Sequence, residues 1–159
     1  MRALKEAAQD FLKLRTIAVA GVSRNGNAVG NLIYKKLKEA GYEVFALNPN
    51  INEIQGDPCY PDVTAVPSKI EGMLIATHPE QSKQIVMDCI AQGVEYIWFH
   101  QSIDNGSFSK EASDYALEHG LNVITGGCPM MFCHPVDFGH KCMRWIFSVT
   151  GKIPKRVPA

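Results

Sequence analysis

No apolar run in this chain approaches the roughly 18 to 20 residues that a membrane span requires. The amino-terminal stretch MRALKEAAQDFLKL mixes charges through every turn, unlike a secretory leader. Both absences point to a cytoplasmic protein with no membrane partner. An excess of either charge is also missing. Sixteen Lys and Arg balance sixteen Asp and Glu, so the broad positive field used by nucleic-acid binders is lacking. Cysteine is sparse and unframed: the five, at 59, 89, 128, 133 and 142, are odd in number and spread out. Reduced thiols fit that pattern better than a disulfide scaffold. Repeats, low-complexity tracts and long linkers are absent, so residues 1–159 are expected to form a single domain with a buried core.

What the chain does contain is an alternation. Leu4, Ala7, Ala8, Phe11 and Leu12 recur at helical spacing and predict a short helix over 3–14. TIAVAGVS follows as a β-rich run. Val29, Leu32, Ile33 and Leu37 then mark an amphipathic helix that Gly41 ends. YEVFALNP, EGMLIATHP, VEYIWFHQ and LNVITGG read as four more strands. Between the later strands lie the helices PEQSKQIVMDCIAQG, opening on proline, and SKEASDYALEHG, opening on serine. A last amphipathic helix is expected over about 136–149, and the basic GKIPKRVPA reads as a solvated tail. Strands separated by helices of about a dozen residues become, through right-handed crossovers, a parallel sheet covered on both faces. The expected fold is therefore α/β: a Rossmann-like doubly wound sheet of five to six strands.

In such a sheet the ligand sits beyond the carboxyl ends of the strands, where the strand order reverses. The first strand runs into VAGVSRNGNAVGNLIYKKL, a glycine turn that resumes as a helix. Gly21 allows the sharp turn, and Gly26 is free to take a positive φ. Ser23 offers a hydroxyl, Arg24 a fork-shaped cation, and the N–H groups of 27–29 an anion pocket. Two common phosphate binders are disfavoured. The dinucleotide fingerprint G-x-G-x-x-G needs glycine where Ser23 stands, and the second strand ends in ALNPN without the acid that holds ribose hydroxyls. A P-loop would need G-K-[ST], which is missing.

The GVSRN…VG turn, the LNPN strand end, GDPCYPDVTAVP at 56–67, IWFHQS after the fourth strand and GGCPMMF after the fifth occur in order. Together they resemble the small CoA-binding domain proteins, stand-alone Rossmann domains similar to the CoA-binding part of succinyl-CoA synthetase α subunits. The likeness runs from about Thr16 to Arg144. It implies that Gly21, Val22, Ser23, Arg24, Asn25 and Gly30 hold the phosphates of coenzyme A or an acyl-CoA. Asn48 and Pro49 would lie near the nucleotide, and Thr77, His78, Pro79, His100 and Gln101 would border the rest. A neutral Asn-Pro rim suits a 3′-phosphorylated ribose, which Arg24 or Lys35 would neutralise. The ligase reaction of the larger relatives depends on a phosphorylated histidine in a further domain, so the resemblance carries binding rather than that reaction. The chain departs from relatives at His100, where many have glutamine, and at RNGN, where proline is common.

Three groups offer chemistry beyond binding. His78 and His100 follow strands and face the expected crevice, with Ser102 and Asp104 nearby. Cys128, just past the fifth strand, is placed to meet the CoA thiol, although a buried inert thiol is the plainer reading. Cys128, Cys133, His134, His140 and Cys142 fall within fifteen residues, yet C-x4-C-H-x5-H-x-C matches no paired C-x2-C knuckle, and no metal is expected. Trp145 and Phe147 suggest core or homodimer contacts. The leading expectation is a CoA sensor, carrier or regulator whose protein partner the residues do not name. The rival is an enzyme: a divergent NAD(P)-dependent oxidoreductase or an acyl-CoA-processing enzyme.

Overall fold

The computed structural model describes residues 1–101 and 106–158. In chain order the elements are β1 (Arg2–Ala3), α1 (Leu4–Phe11), β2 (Thr16–Ala20), α2 (Val29–Glu39), β3 (Glu43–Leu47), β4 (Glu53–Ile54), β5 (Asp57–Tyr60), β6 (Gly72–Ile75), α3 (Pro79–Ala91), β7 (Tyr96–Phe99), α4 (Lys110–Glu118), β8 (Asn122–Thr125), α5 (Phe138–Thr150) and β9 (Arg156–Val157). Seven strands form one sheet in the order β4-β5-β3-β2-β6-β7-β8. All neighbours are parallel except the β4–β5 edge pair. Setting β4 aside, the six parallel strands run 3-2-1-4-5-6 in their own order, the doubly wound arrangement of nucleotide-binding folds.

Alternation along the strands sorts the core into two layers. On one face Ile17, Val19, Leu74, Trp98 and Ile124 pack against α1, α2 and the α5 region. On the other, Ala18, Ala20, Met73, Ile75, Ile97 and Phe99 meet Val86, Cys89, Ala112 and Ala116 of α3 and α4. The inner positions of these strands are apolar on both sides, with polar residues such as Thr16, Asn122 and Thr125 only at strand ends, because both faces are covered. Trp98 is fully buried, stands edge-on to Phe11 at 5.3 Å and donates its indole N–H to the Gly126 carbonyl at 3.0 Å.

The structure departs from the sequence reading in several places, beginning with a sheet of seven strands where five to six were expected, the β4–β5 edge pair being the addition. The buried face of α2 is centred on Gly30, Ile33, Tyr34 and Leu37, leaving Leu32 44% exposed. Gly26 is not among the positive-φ glycines, which include Gly21 and Gly41. The basic tail is not a solvated end: β9 pairs antiparallel with β1, Ile153 is buried and Val157 is completely so. The last helix starts two residues later than expected because Asp137 caps it, its carboxylate accepting the His140 N–H at 3.0 Å.

Candidate functional site

The topological switch point lies between the neighbouring strands β2 and β6, where the order reverses. There the chain leaves β2 through Gly21, at φ +104°, and a Cβ on that residue would lie 2.3 Å from the Ala76 carbonyl oxygen. Gly30, in the first turn of α2, is just as constrained: its Cβ would lie 2.3 Å from the Gly21 carbonyl oxygen. Both glycines therefore serve backbone-to-backbone packing. They bring the start of α2 down onto the β2 turn and the β6–α3 turn against it.

The intervening loop is fixed by its own side chains. Asn31 is 1% exposed and grips Ser23 from both ends, its Oδ1 accepting the Ser23 N–H and its Nδ2 donating to the Ser23 carbonyl, each at 2.7 Å. Ser23 Oγ accepts the Asn25 N–H at 3.0 Å, and Asn25 Oδ1 accepts the Asn27 N–H at 3.1 Å. Asn48 ties the loop to the end of β3 by donating to the Val22 carbonyl at 2.7 Å while accepting the Asn50 N–H at 2.7 Å. Arg24 reaches across to the Asn50 carbonyl at 3.0 Å. The Asn27 N–H expected to face an anion is thus engaged within the loop. Asn31, absent from the sequence reading, is the residue that sets the loop's shape. An asparagine inside a helix has low intrinsic propensity, and that was the available signal.

Two depressions, of about 600 Å³ and about 340 Å³, meet along Gly21, Asn48, Thr77 and Gln81 at this carboxyl edge. The smaller is bordered by Val22, Val29, His78 and His100, the larger by Pro49 and Asn50. Helices α2 and α3 both begin at the smaller depression. Their N-cap residues, Ala28 and His78, provide no side-chain cap. First-turn N–H groups have no i−4 partner; Pro79 has none to give and Gln81 donates to the His78 carbonyl. Val29 and Gly30 of α2 and Glu80 of α3, with both positive dipole ends, are therefore the groups a bound anion would meet. The α4 helix differs, since Ser109 Oγ accepts the Ala112 N–H.

The expected neutral rim is neutral only along β3. Asp62, beyond the end of β5, and Glu80 and Asp88 of α3 also line the larger depression. Asp62 is committed locally, its Oδ1 accepting the Thr64 and Ala65 N–H groups. Sequence reasoning looked for an acid after the second strand and did not see that the third parallel strand ends beside the same cleft.

Of the remaining named residues, Gly30 is buried under Gly21, and Pro79 is the first residue of α3. Gln101 bridges to Gly127, whose carbonyl accepts the Gln101 N–H at 3.1 Å. His100 is 3% exposed, its carbonyl accepting both the N–H and the hydroxyl of Ser107. Ser102 and Asp104 lie outside the described residues. Cys128 is 2% exposed, borders neither depression, and packs in the core layer that holds Trp98. Burial pushes its thiol up to about 12, so it stays protonated. In the 128–142 region, Cys133 is buried and His140 pairs with Asp137 at 2.5 Å. Among the described residues no three metal-competent side chains come together. Phe147 is buried, whereas Trp145 is 69% exposed.

An ADP-forming acetate–CoA ligase I of Archaeoglobus fulgidus is 28% identical over 120 residues, covering 72% of this chain and 18% of the ligase. The α subunit of ADP-forming acetate–CoA ligase II of Pyrococcus furiosus is 28% identical over 125 residues, covering 74% and 27%. The chain therefore spans about a quarter or less of the length of these enzymes. The solved structure of a hypothetical protein from Pyrococcus horikoshii OT3 superposes with a TM-score of 0.76 at 30% identity, covering 83% of this chain and 91% of that one. No helix among the described residues is long and apolar enough to cross a membrane. The family model described as "CoA binding domain" matches residues 15–134, three quarters of the chain, and the protein belongs to that family.

Proposed function

We propose that the protein binds coenzyme A or an acyl-CoA in the cleft at the switch point, acting as a sensor, carrier or regulator. One observation carries the reading. Two helices without side-chain caps, α2 behind Ala28 and α3 behind His78, start at the same depression beside Gly21. Two converging helix amino ends suit a diphosphate better than a single carboxylate. The N–H groups of Val29 and Gly30 would receive phosphate oxygens, and the nucleotide would occupy the larger depression by Asn48 and Pro49. Arg24, exposed and reaching toward the end of β3 at Asn50, would take the 3′-phosphate. Relatives named as acetate–CoA ligases support the choice of CoA over other phosphate ligands.

Titration calorimetry with CoA, acetyl-CoA, dephospho-CoA, ADP and NAD tests this reading. CoA should bind, and at a hundred times its dissociation constant add about 2.7 kcal/mol of stability. Dephospho-CoA should bind more weakly because Arg24 then faces no 3′-phosphate. NAD binding as tightly as CoA would instead favour the oxidoreductase reading.

A further inference from the structure

A second concavity, of about 630 Å³, lies between α1, α5 and the strap leading to β9 and shares no lining residue with the cleft. Leu4, Phe132 and Ile153 make its apolar floor, all at most 9% exposed. Lys5, Arg144 and Lys155 stand around it, and no Asp or Glu lines it. Among the described residues none of these three cations is paired with a carboxylate. Arg144 is instead oriented by the Met131 carbonyl, to which it donates at 3.0 Å, and lies 5.6 Å over the Phe132 ring.

The charge map has the same sign on a larger scale. From Phe138 onward the chain carries five Lys and Arg (141, 144, 152, 155 and 156) and no acid. All sixteen acidic residues lie before it, against eleven basic ones. The zero net charge of the chain therefore hides a basic carboxyl-terminal face on an acidic body.

A concave apolar floor under three unpaired cations is complementary to a ligand with an apolar tail and one anionic head. A compact polyanion would leave the floor unused, and a neutral apolar molecule would leave the cations unanswered. We infer that this pocket binds a free aliphatic carboxylate, its chain along Leu4, Phe132 and Ile153 and its head between Lys5, Lys155 and Arg144. The site is independent of the CoA cleft and stands whether or not CoA binds there.

The test follows backbone amide resonances of ¹⁵N-labelled protein during titration with decanoate, decanol and acetate. Decanoate should shift Leu4, Lys5, Ser148 and Val149 saturably and leave Gly21, Val22 and Thr77 unmoved. Decanol and acetate should bind at least about tenfold more weakly, the factor expected for losing one charge-assisted hydrogen bond or most of the apolar contact. Val149, 69% exposed at the mouth, gives a variant that spares the fold. Val149→Asp, and the double variant Lys5→Gln with Lys155→Gln, should each raise the decanoate dissociation constant at least about tenfold while leaving the spectrum dispersed. The inference is overturned by decanol binding as well as decanoate, by shifts at the cleft instead of the pocket, or by unchanged affinity in both variants. Association with phosphatidylglycerol vesicles but not with free decanoate would also overturn it, assigning the face to a bilayer.

Discussion

Gly30 approaches Gly21 so closely that the smallest side chain at either position meets backbone. A Cβ on Gly30 would lie 2.3 Å from the Gly21 carbonyl, and one on Gly21 equally near the Ala76 carbonyl. Rigid main chain cannot yield as a side-chain tip can. Gly30→Ala and Gly21→Ala should each cost more than about 2 kcal/mol in urea denaturation. A cost below about 0.5 kcal/mol would mean that the helix start is not packed as described. Lost ligand binding in either variant would report a displaced loop, so neither serves as a contact test.

Arg24 is the cleaner probe of phosphate recognition. It is exposed, and among the described residues its side chain donates to the Asn50 carbonyl alone. Arg24→Gln should weaken CoA about tenfold by calorimetry, reduce the salt dependence of binding, and leave thermal stability within the range of a surface substitution. Equal affinity for CoA and dephospho-CoA in the parent would remove the 3′-phosphate from Arg24.

Asn31 holds both backbone polar groups of Ser23 from a buried position. Asn31→Leu keeps the branched heavy-atom shape and strands those groups, at a cost of roughly 1–3 kcal/mol. Added CoA should recover less stability in this variant than in the parent, because the loop it would order is no longer pre-set.

Glu71 contributes to the acid limb of stability, beside Asp10, Asp57 and Asp137, whose carboxyls are also held low by their partners. Its carboxylate accepts the Thr16 and Arg15 N–H groups at 3.0 and 2.7 Å, and these bonds hold its pKa below the ordinary 4.5. A depressed carboxyl stabilises the fold fully above its unfolded pKa and loses that contribution as pH falls through its folded pKa. Glu71→Gln should therefore lower the melting temperature at pH 7 and flatten its decline below about pH 4.5. Parallel curves for variant and parent would contradict this.

Thiol labelling separates the cysteines. Cys128 and Cys89 are buried, and burial pushes both thiols up, whereas Cys142 is partly exposed. Brief iodoacetamide treatment of native protein, read by peptide mass, should modify Cys142 and spare Cys89 and Cys128. Rapid labelling of Cys128 would reopen a role for it in thiol exchange.

How much of this was legible beforehand depended on the range of the signal. The five central strands and their helices announced themselves through local periodicity, proline starts and glycine stops, and the β2 turn stood out as strand, glycine, helix. Three features had no local signature. The β1–β9 pair joins two residues from each end of the chain, too short to show a period. The β4–β5 hairpin contains Pro58, which argues against a central strand; it is tolerated because it faces only the edge strand β4, the pairing of β5 with β3 starting at Cys59. The exposure of Leu32 follows from the contact of Gly30 with Gly21, which rotates α2 and cannot be read from the helix alone. At the site, Gly21, Val22, Asn48, Pro49, Thr77, His78 and His100 come together around the depressions, while Ser23, Arg24, Asn25, Gly30, Pro79 and Gln101 line neither, and nor does Cys128. Burial, not sequence position, removes it.

The bare amino ends of α2 and α3 have a consequence for how the protein would register its ligand. Where α4 and α5 carry a serine or aspartate stopper, these two leave that place to solvent or guest. A diphosphate seated there would complete two spirals at once, so occupancy would be written into the slowed deuterium uptake of Val29, Gly30 and Glu80, even if no backbone atom changed place.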